Sequence, residues 1–120
     1  MSPMLVFARN AKGQSEPVMA LGSPGGAAII SYVALRLQAL REGLPAQSAV
    51  ELPNLAVLSP DGPVGLESTR WPAGLDARLK ELGHSVISIE LTSGLGLLVH
   101  TPAGWQAGVD PRREGLALGD

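Results

Sequence analysis

The stretch "LGSPGGAAII" at residues 21–30 decides how this chain is read. It closes a run of apolar residues, turns at Gly25 and Gly26, and opens a segment with helical patterning. Adjacent glycines at a helix start have two physical readings. One is a tight turn in which no Cβ fits. The other is a pair of bare main-chain amides at the positive end of the helix dipole, able to hold an anion or a developing negative charge. A short glycine motif alone does not separate them.

Downstream of the glycines, residues 27–42 carry Ile29, Val33, Leu37 and Leu40 at helical spacing, and Gly43 supplies the stop. Arg36 projects between Tyr32 and Leu40, close to the apolar stripe. It either meets a buried acid or, the favoured expectation, lays its stem along apolar surface and keeps its guanidinium in water. Upstream, "MLVFA" (4–8) and "PVMAL" (17–21) flank a polar loop and read as a strand pair.

Beyond the helix, "PAQSAVEL" (45–52) predicts two short helical turns, residues 54–65 read as loop around the turn cluster "PDGP" (60–63), and residues 64–67 as a short strand. "LDARLKELG" (75–83) is amphipathic, with Leu75, Leu79 and Leu82 on one face, Arg78, Lys80 and Glu81 toward water, and Gly83 as its stop. "SVISIEL" (85–91), "LGLLVH" (95–100) and residues 105–107 predict a strand meander, followed by a polar tail over 110–115. The expectation is one α+β domain over residues 1–120, with a mainly antiparallel sheet and one long and one short packed helix. The apolar segment 27–40 lacks enough partners to cover it, so self-association is expected.

Composition narrows the function classes. The 120 residues are 45% apolar and 17% charged, with a formal net charge of −2. Basic residues are not interleaved with aromatics, which argues against a nucleic-acid partner. There is no cysteine, so disulfides and thiolate metal sites are excluded, and either redox compartment remains compatible. No apolar run approaches the roughly 20 residues that span a bilayer, and the first residues lack the pattern of a secretory signal; a soluble chain with no membrane partner is expected. His84 and His100 have no ligand spacing, and neither a metal nor another cofactor is expected.

The side chains alone suggest no catalytic constellation. His84 follows the stop glycine, where a helix C-terminus favours an imidazolium, and His100 sits at a strand end as a surface or edge residue. Glu51, Asp61, Glu67, Asp76, Glu81, Glu90, Asp110, Glu114 and Asp120 are scattered and read as surface charge. Arg112 and Arg113 could clamp a carboxylate, but beside Asp110 and Glu114 they read as local surface ion pairs. Removal of Met1 would expose Ser2, and a terminal hydroxyl residue with its own amine as base is a nucleophile design. Pro3 and the lack of supporting groups weigh against it.

The ordered blocks "MSPMLVF" (1–7), "LGSPGGAAIISYV" (21–33), "LKELGHSV" (79–86), "TSGL" (92–95) and "GVDPRREGLALGD" (108–120) resemble the C-terminal part of the small subunit of γ-glutamyltransferases, also called γ-glutamyltranspeptidases or glutathione hydrolases. The resemblance implies an N-terminal nucleophile hydrolase fold of α, β, β and α layers, formed by self-cleavage of a precursor. It implies transfer of the γ-glutamyl group of glutathione and related amides to water or an amino acid, through an acyl-enzyme on a threonine at the small subunit's N-terminus. Gly25 and Gly26 correspond to the family's oxyanion-hole donors.

In the family that threonine and most glutamyl-binding residues lie upstream of the position of Met1, and a pair of serines immediately precedes it. The family's arginine after the glycine pair is Ala28 here, and its proline-arginine-histidine-rich segment is Leu52-Pro53-Asn54-Leu55. Two readings follow. The chain is part of such an enzyme, inactive without the missing N-terminal portion or large subunit, or it is a non-catalytic folding or assembly module. The compartment is open; bacterial members are often exported or periplasmic.

Overall fold

The computed structural model describes residues 1–68 and 70–119. In chain order the elements are β1 (Met4–Arg9), β2 (Ser15–Gly22), a 3₁₀ turn (Gly26–Ala28), α1 (Ile29–Arg41), α2 (Ala46–Glu51), β3 (Leu55–Val57), β4 (Val64–Glu67), α3 (Leu75–Glu81), β5 (Val86–Ile89), β6 (Gly96–Thr101) and β7 (Gly104–Val109). The strands form a four-stranded antiparallel sheet, β1-β2-β6-β7, and a three-stranded sheet, β3-β4-β5.

The first strand pair forms as expected, and Asn10 shapes its turn. Its Oδ1 accepts the main-chain N–H groups of Lys12 and Gln14, both at 2.9 Å. Pro17 lies opposite Phe7 in the β1 pairing, beside the register shift between Val6 and Phe7, and outside the β6 pairing, which runs only from Met19 to Gly22. α1 ends as its sequence predicts: Gly43 adopts φ 92°, and Leu44 N–H donates to the Ala39 carbonyl at 3.0 Å.

Two expectations about strands are corrected. Residues 54–65 are not all loop, because β3 lies within them and pairs antiparallel with β4. Residues 85–107 do not form a meander, because only β6 and β7 make a hairpin. β5 belongs to the other sheet and runs parallel to β4. The physical reason is α3, which returns the chain to the starting edge so that β5 can run in the same direction, the crossover that parallel pairing requires.

The core lies between the sheets and the α1–α2 pair. Leu21 and Leu97 face each other across β2 and β6 and join one buried cluster with Tyr32 and Val33 of α1, Ala49 and Val50 of α2, Ala56 of β3, and Leu91 and Leu95. α2 rests almost directly on β7. A Cβ on Gly108 would stand 2.6 Å from the Ala46 carbonyl oxygen, so only glycine permits that approach.

Strand alternation sends the next register row to the opposite face of the four-stranded sheet. Leu5, Ala20, Leu98 and Ala107 lie side by side across all its strands. Leu5 and Leu98 are 63% and 46% exposed. Met1, Leu116 and Leu118 border the same hollow, of about 630 Å³.

Candidate functional site

β2 ends at Gly22, and the chain then turns through Ser23, Pro24, Gly25 and Gly26 into α1. Ser23 is fully buried; its Oγ donates to the Pro24 carbonyl at 2.7 Å and accepts the Gly94 N–H at 3.2 Å. Gly25 has φ 139° and Gly26 φ 57°, both in the region that favours glycine. A Cβ on Gly25 would also lie 2.6 Å from Cε2 of the buried Tyr32 ring. Gly26 faces open space.

The carbonyls of these glycines are used, that of Gly25 by Ala28 N–H at 3.1 Å and that of Gly26 by Ile29 N–H. Their own N–H groups donate to no described residue. Two consecutive unclaimed donors thus stand at the positive end of a helix, a geometry able to hold a negative oxygen. Ser2 and Gly26 border one groove of about 450 Å³ together with Ile29, Ile30 and Val33, and no titratable side chain among the described residues lines it.

Behind the loop lies a buried polar network. Arg112 grips Glu67 through both carboxylate oxygens, Nε to Oε1 at 2.7 Å and Nη2 to Oε2 at 2.6 Å, and reaches Asp110 Oδ1 from Nη1 at 3.0 Å. Asp110 Oδ2 accepts the Ser93 hydroxyl and the Leu95 N–H. Asn54 closes the ring: its Nδ2 donates to Ser93 Oγ at 2.8 Å, and its main-chain N–H donates to Glu67 Oε2 at 2.7 Å.

Arg36 and Arg112 converge on the same carbonyls at the end of α2. Arg36 Nη2 donates to Val50 and Leu52 oxygens at 3.3 and 2.7 Å, and Arg112 reaches the same atoms at 3.4 and 2.9 Å. Helix C-terminal carbonyls lack intrahelical partners and carry the negative end of the dipole, which favours cations there.

Burial and hydrogen bonding compete at each of these groups. Burial opposes ionisation of Glu67, but the hydrogen bonds from Arg112 and Asn54 N–H, with the charge of Arg112, outweigh it and hold the carboxyl below its usual range. At Asp110 burial is likewise overcome, by the Ser93 hydroxyl and by the main-chain and side-chain N–H groups of Arg112. Burial would lower Arg112, yet its bonds to Glu67 and Asp110 raise it. Arg36, with no carboxylate in contact, is pushed down to about 10 by burial and then by the charge of Arg112.

The sequence model of the family "Gamma-glutamyltranspeptidase" matches residues 1–120. The chain belongs to the gamma-glutamyltranspeptidase family. Among solved structures it is similar to gamma-glutamyltranspeptidase from Pseudomonas nitroreducens complexed with L-DON, with a TM-score of 0.82 and 20% identity over 100% of this chain and 62% of that one. A Helicobacter pylori gamma-glutamyltranspeptidase mutant gives 0.78 and 23% over 94% and 61%. The Bacillus anthracis transpeptidase enzyme CapD gives 0.74 and 17% over 100% and 70%. No curated protein sequence matches the chain. The chain therefore spans 61% and 62% of the length of the Helicobacter pylori and Pseudomonas nitroreducens chains it matches. Its α+β fold is part of the N-terminal nucleophile hydrolase sandwich of gamma-glutamyltranspeptidases.

Within this family fold, several expectations from single residues are corrected. Arg36 does not reach water; it is fully buried and bonded to main-chain carbonyls, because α2 lies across it. Residues 110–115 are not simply a polar tail, and Arg112 is not a surface ion pair: Asp110 is 1% exposed, and Arg112 is buried against Glu67. Glu67 and Asp110 thus leave the set of surface charges. Arg113 makes no ion pair with a described residue; its stem lies across Gly94, with Cδ 2.6 Å from where a Cβ would stand. His84 is exposed, its N–H bonded to the Leu79 carbonyl at 3.0 Å, and His100 is exposed and stacks edge-on against Trp105.

Ser93, Asn54, Glu67 and Asp110 were not legible as a group, since their partners are 13 to 39 residues apart in sequence. The one local signal was Asp110 two residues before Arg112, where the carboxylate accepts the Arg112 N–H at 3.0 Å. The network fixes the glycine loop through Ser93 and its neighbour Gly94, whose N–H holds Ser23.

A pH dependence follows. Glu67 and Asp110 have folded-state pKa values below their unfolded ones, so their stabilisation is complete above the ordinary carboxylate range and lost as pH falls through the depressed folded values. Calorimetry of the chain should show a melting temperature that is flat from about pH 7 to 5 and declines below about pH 4. Arg112→Met should cost about 3–5 kcal/mol near neutrality, because it strands two buried carboxylates, and should flatten the acid decline. An unchanged melting curve would show that the network contributes nothing.

Proposed function

We propose that the chain is the C-terminal portion of the small subunit of a γ-glutamyltransferase-like enzyme, in which the main-chain N–H groups of Gly25 and Gly26 hold the oxyanion of acyl transfer. The observation that carries this reading is the pair of unclaimed donors at the start of α1 in a chain that the family model matches from end to end.

The reaction begins when a threonine hydroxyl, supplied by polypeptide upstream of Met1, attacks the γ-carbonyl carbon of a γ-glutamyl amide such as glutathione. A carbon–oxygen bond forms and the carbonyl electron pair moves onto oxygen, between the two N–H groups. Collapse of this intermediate expels the amine, which takes up the proton given up by the threonine hydroxyl, and leaves a γ-glutamyl ester. Water or an amino acid then accepts the acyl group through a second oxyanion in the same place. Donors fixed before charge develops need no reorganisation, and losing one typically costs about 10²–10³ in kcat. Here the fixing groups are the Tyr32 ring under Gly25 and the Ser23–Gly94 bond.

The partner implied is the upstream portion or large subunit of the same enzyme. The exposed row Leu5, Ala20, Leu98 and Ala107 gives it an apolar sheet face to cover.

Hydrolysis of γ-glutamyl-p-nitroanilide tests the chemistry. The chain alone should match the uncatalysed background. Combined with the threonine-bearing portion of a family small subunit it should turn over, and replacing the Gly26 amide by an ester, which removes the N–H and weakens the Gly25 carbonyl as acceptor of Ala28 N–H, should lower kcat by about 10²–10³. An unaffected kcat overturns the assignment of Gly26. Turnover by the chain alone that disappears in Ser2→Ala moves the nucleophile into this chain.

Sedimentation velocity tests the open sheet face: the chain alone should run as a dimer or larger species at micromolar concentration. A strict monomer to about 100 times that level contradicts the need for cover.

A further inference from the structure

The outer face of the four-stranded sheet carries an aromatic row beside the apolar row of Leu5, Ala20, Leu98 and Ala107. Two residues from that row on each strand, alternation brings Phe7 of β1, His100 of β6 and Trp105 of β7 to the same side. The register shift between Val6 and Phe7 places the extra residue on β2, so β1 keeps its alternation. His100 and Trp105 are direct partners in the β6–β7 register, and their rings meet edge-on with centroids 5.2 Å apart.

The face is large enough to pair with its own copy. Leu5, Phe7, Leu98 and Trp105, with Leu116 and Leu118 along its border, together expose about the 800 Å² that each partner buries in a standard interface. An apolar face of this kind is complementary to itself across a two-fold axis.

His100 is the exception within it. The other titratable side chains of the four strands are Arg9 and Glu16, both at the turn end of β1 and β2, where Glu16 accepts the Asn10 side-chain N–H at 2.6 Å. Met1 brings the terminal ammonium to the border of the face, and Glu114 stands in the tail that leads to Leu116. His100 itself makes no ion pair with a described residue.

We propose that isolated copies of this chain pair through these sheet faces and that His100 sets the pH at which they part. The proposal rests on the reading that this face needs cover. Covering it strips water from His100. A neutral imidazole tolerates that beside Phe7, Leu98 and Trp105, whereas an imidazolium loses its hydration with no carboxylate to replace it. The Trp105 ring attracts a cation, but it does so in the free chain as well and cancels from the difference. Association therefore favours the neutral ring, is strongest above the ordinary histidine range and weakens as pH falls through it.

Sedimentation velocity over a concentration series at about pH 7.5 and 5.5 tests this, a window above the acid range that unloads Glu67 and Asp110. The dimer Kd should rise about tenfold for each His100 buried, hence about a hundredfold for a symmetric pair. His100→Gln, neutral at both values, should hold the change to less than about threefold, and His84→Gln should leave the full change in place. Equal association at both pH values, or the same loss in His100→Gln, overturns the inference and leaves the need for cover standing. A strict monomer at both, to about 100 times micromolar concentration, overturns the two together.

Discussion

One guanidinium ties three distant parts of the chain together. Arg112 holds Glu67 at the end of β4, Asp110 at the end of β7 and the terminal carbonyls of α2. Desolvating these charges is costly, and the Coulombic return in such a site offsets the cost only when geometry is good and remaining lone pairs are filled. Both conditions hold: Arg112 meets Glu67 with two short bonds, and Asn54, Ser93 and Leu95 fill the remaining carboxylate positions. Such a network specifies how the two sheets and α2 sit against one another more sharply than apolar packing would, because an apolar contact tolerates sliding and a bidentate ion pair does not.

The glycine loop inherits its geometry from that network. Ser93, bonded to Asp110 and Asn54, sets the position of Gly94, and Gly94 N–H holds the buried Ser23 one residue before Pro24. Tyr32 closes the other side by lying where any Cβ on Gly25 would have to be. The loop is therefore held through Ser23 and beneath Gly25, while the N–H groups of Gly25 and Gly26 donate to no described residue. Fixed support with open donors is the arrangement that electrostatic catalysis requires, since donors that had to swing into place would spend part of their interaction on reorganisation.

Local pattern carried much of the fold. The strand pair around Asn10, the long helix, its stop at Gly43 and the short helix ending at Gly83 all follow from apolar periodicity and the positive φ of single glycines. The glycine pair itself was legible as a helix start with bare amides. What local pattern could not carry was long-range partnership. Alternation in residues 86–89 marks a strand but is silent on which sheet receives it, and α3 decided that. Arg36 projected onto the buried stripe of its helix, yet its environment depended on carbonyls of α2 at residues 50 and 52. Arg112 read as a surface charge because its neighbours in sequence are polar, whereas Glu67 is 45 residues away.

Native-state hydrogen exchange, resolved by residue, tests most directly the claim that two open donors sit on a locked frame. The amides of Gly25 and Gly26 should exchange near the rate of unprotected peptide. Those of Glu67, Gly94, Leu95 and Asp110, bonded within the frame, should exchange only as fast as the chain unfolds globally. Slow exchange at both glycines, or frame amides that open as readily as the glycines, would contradict the account.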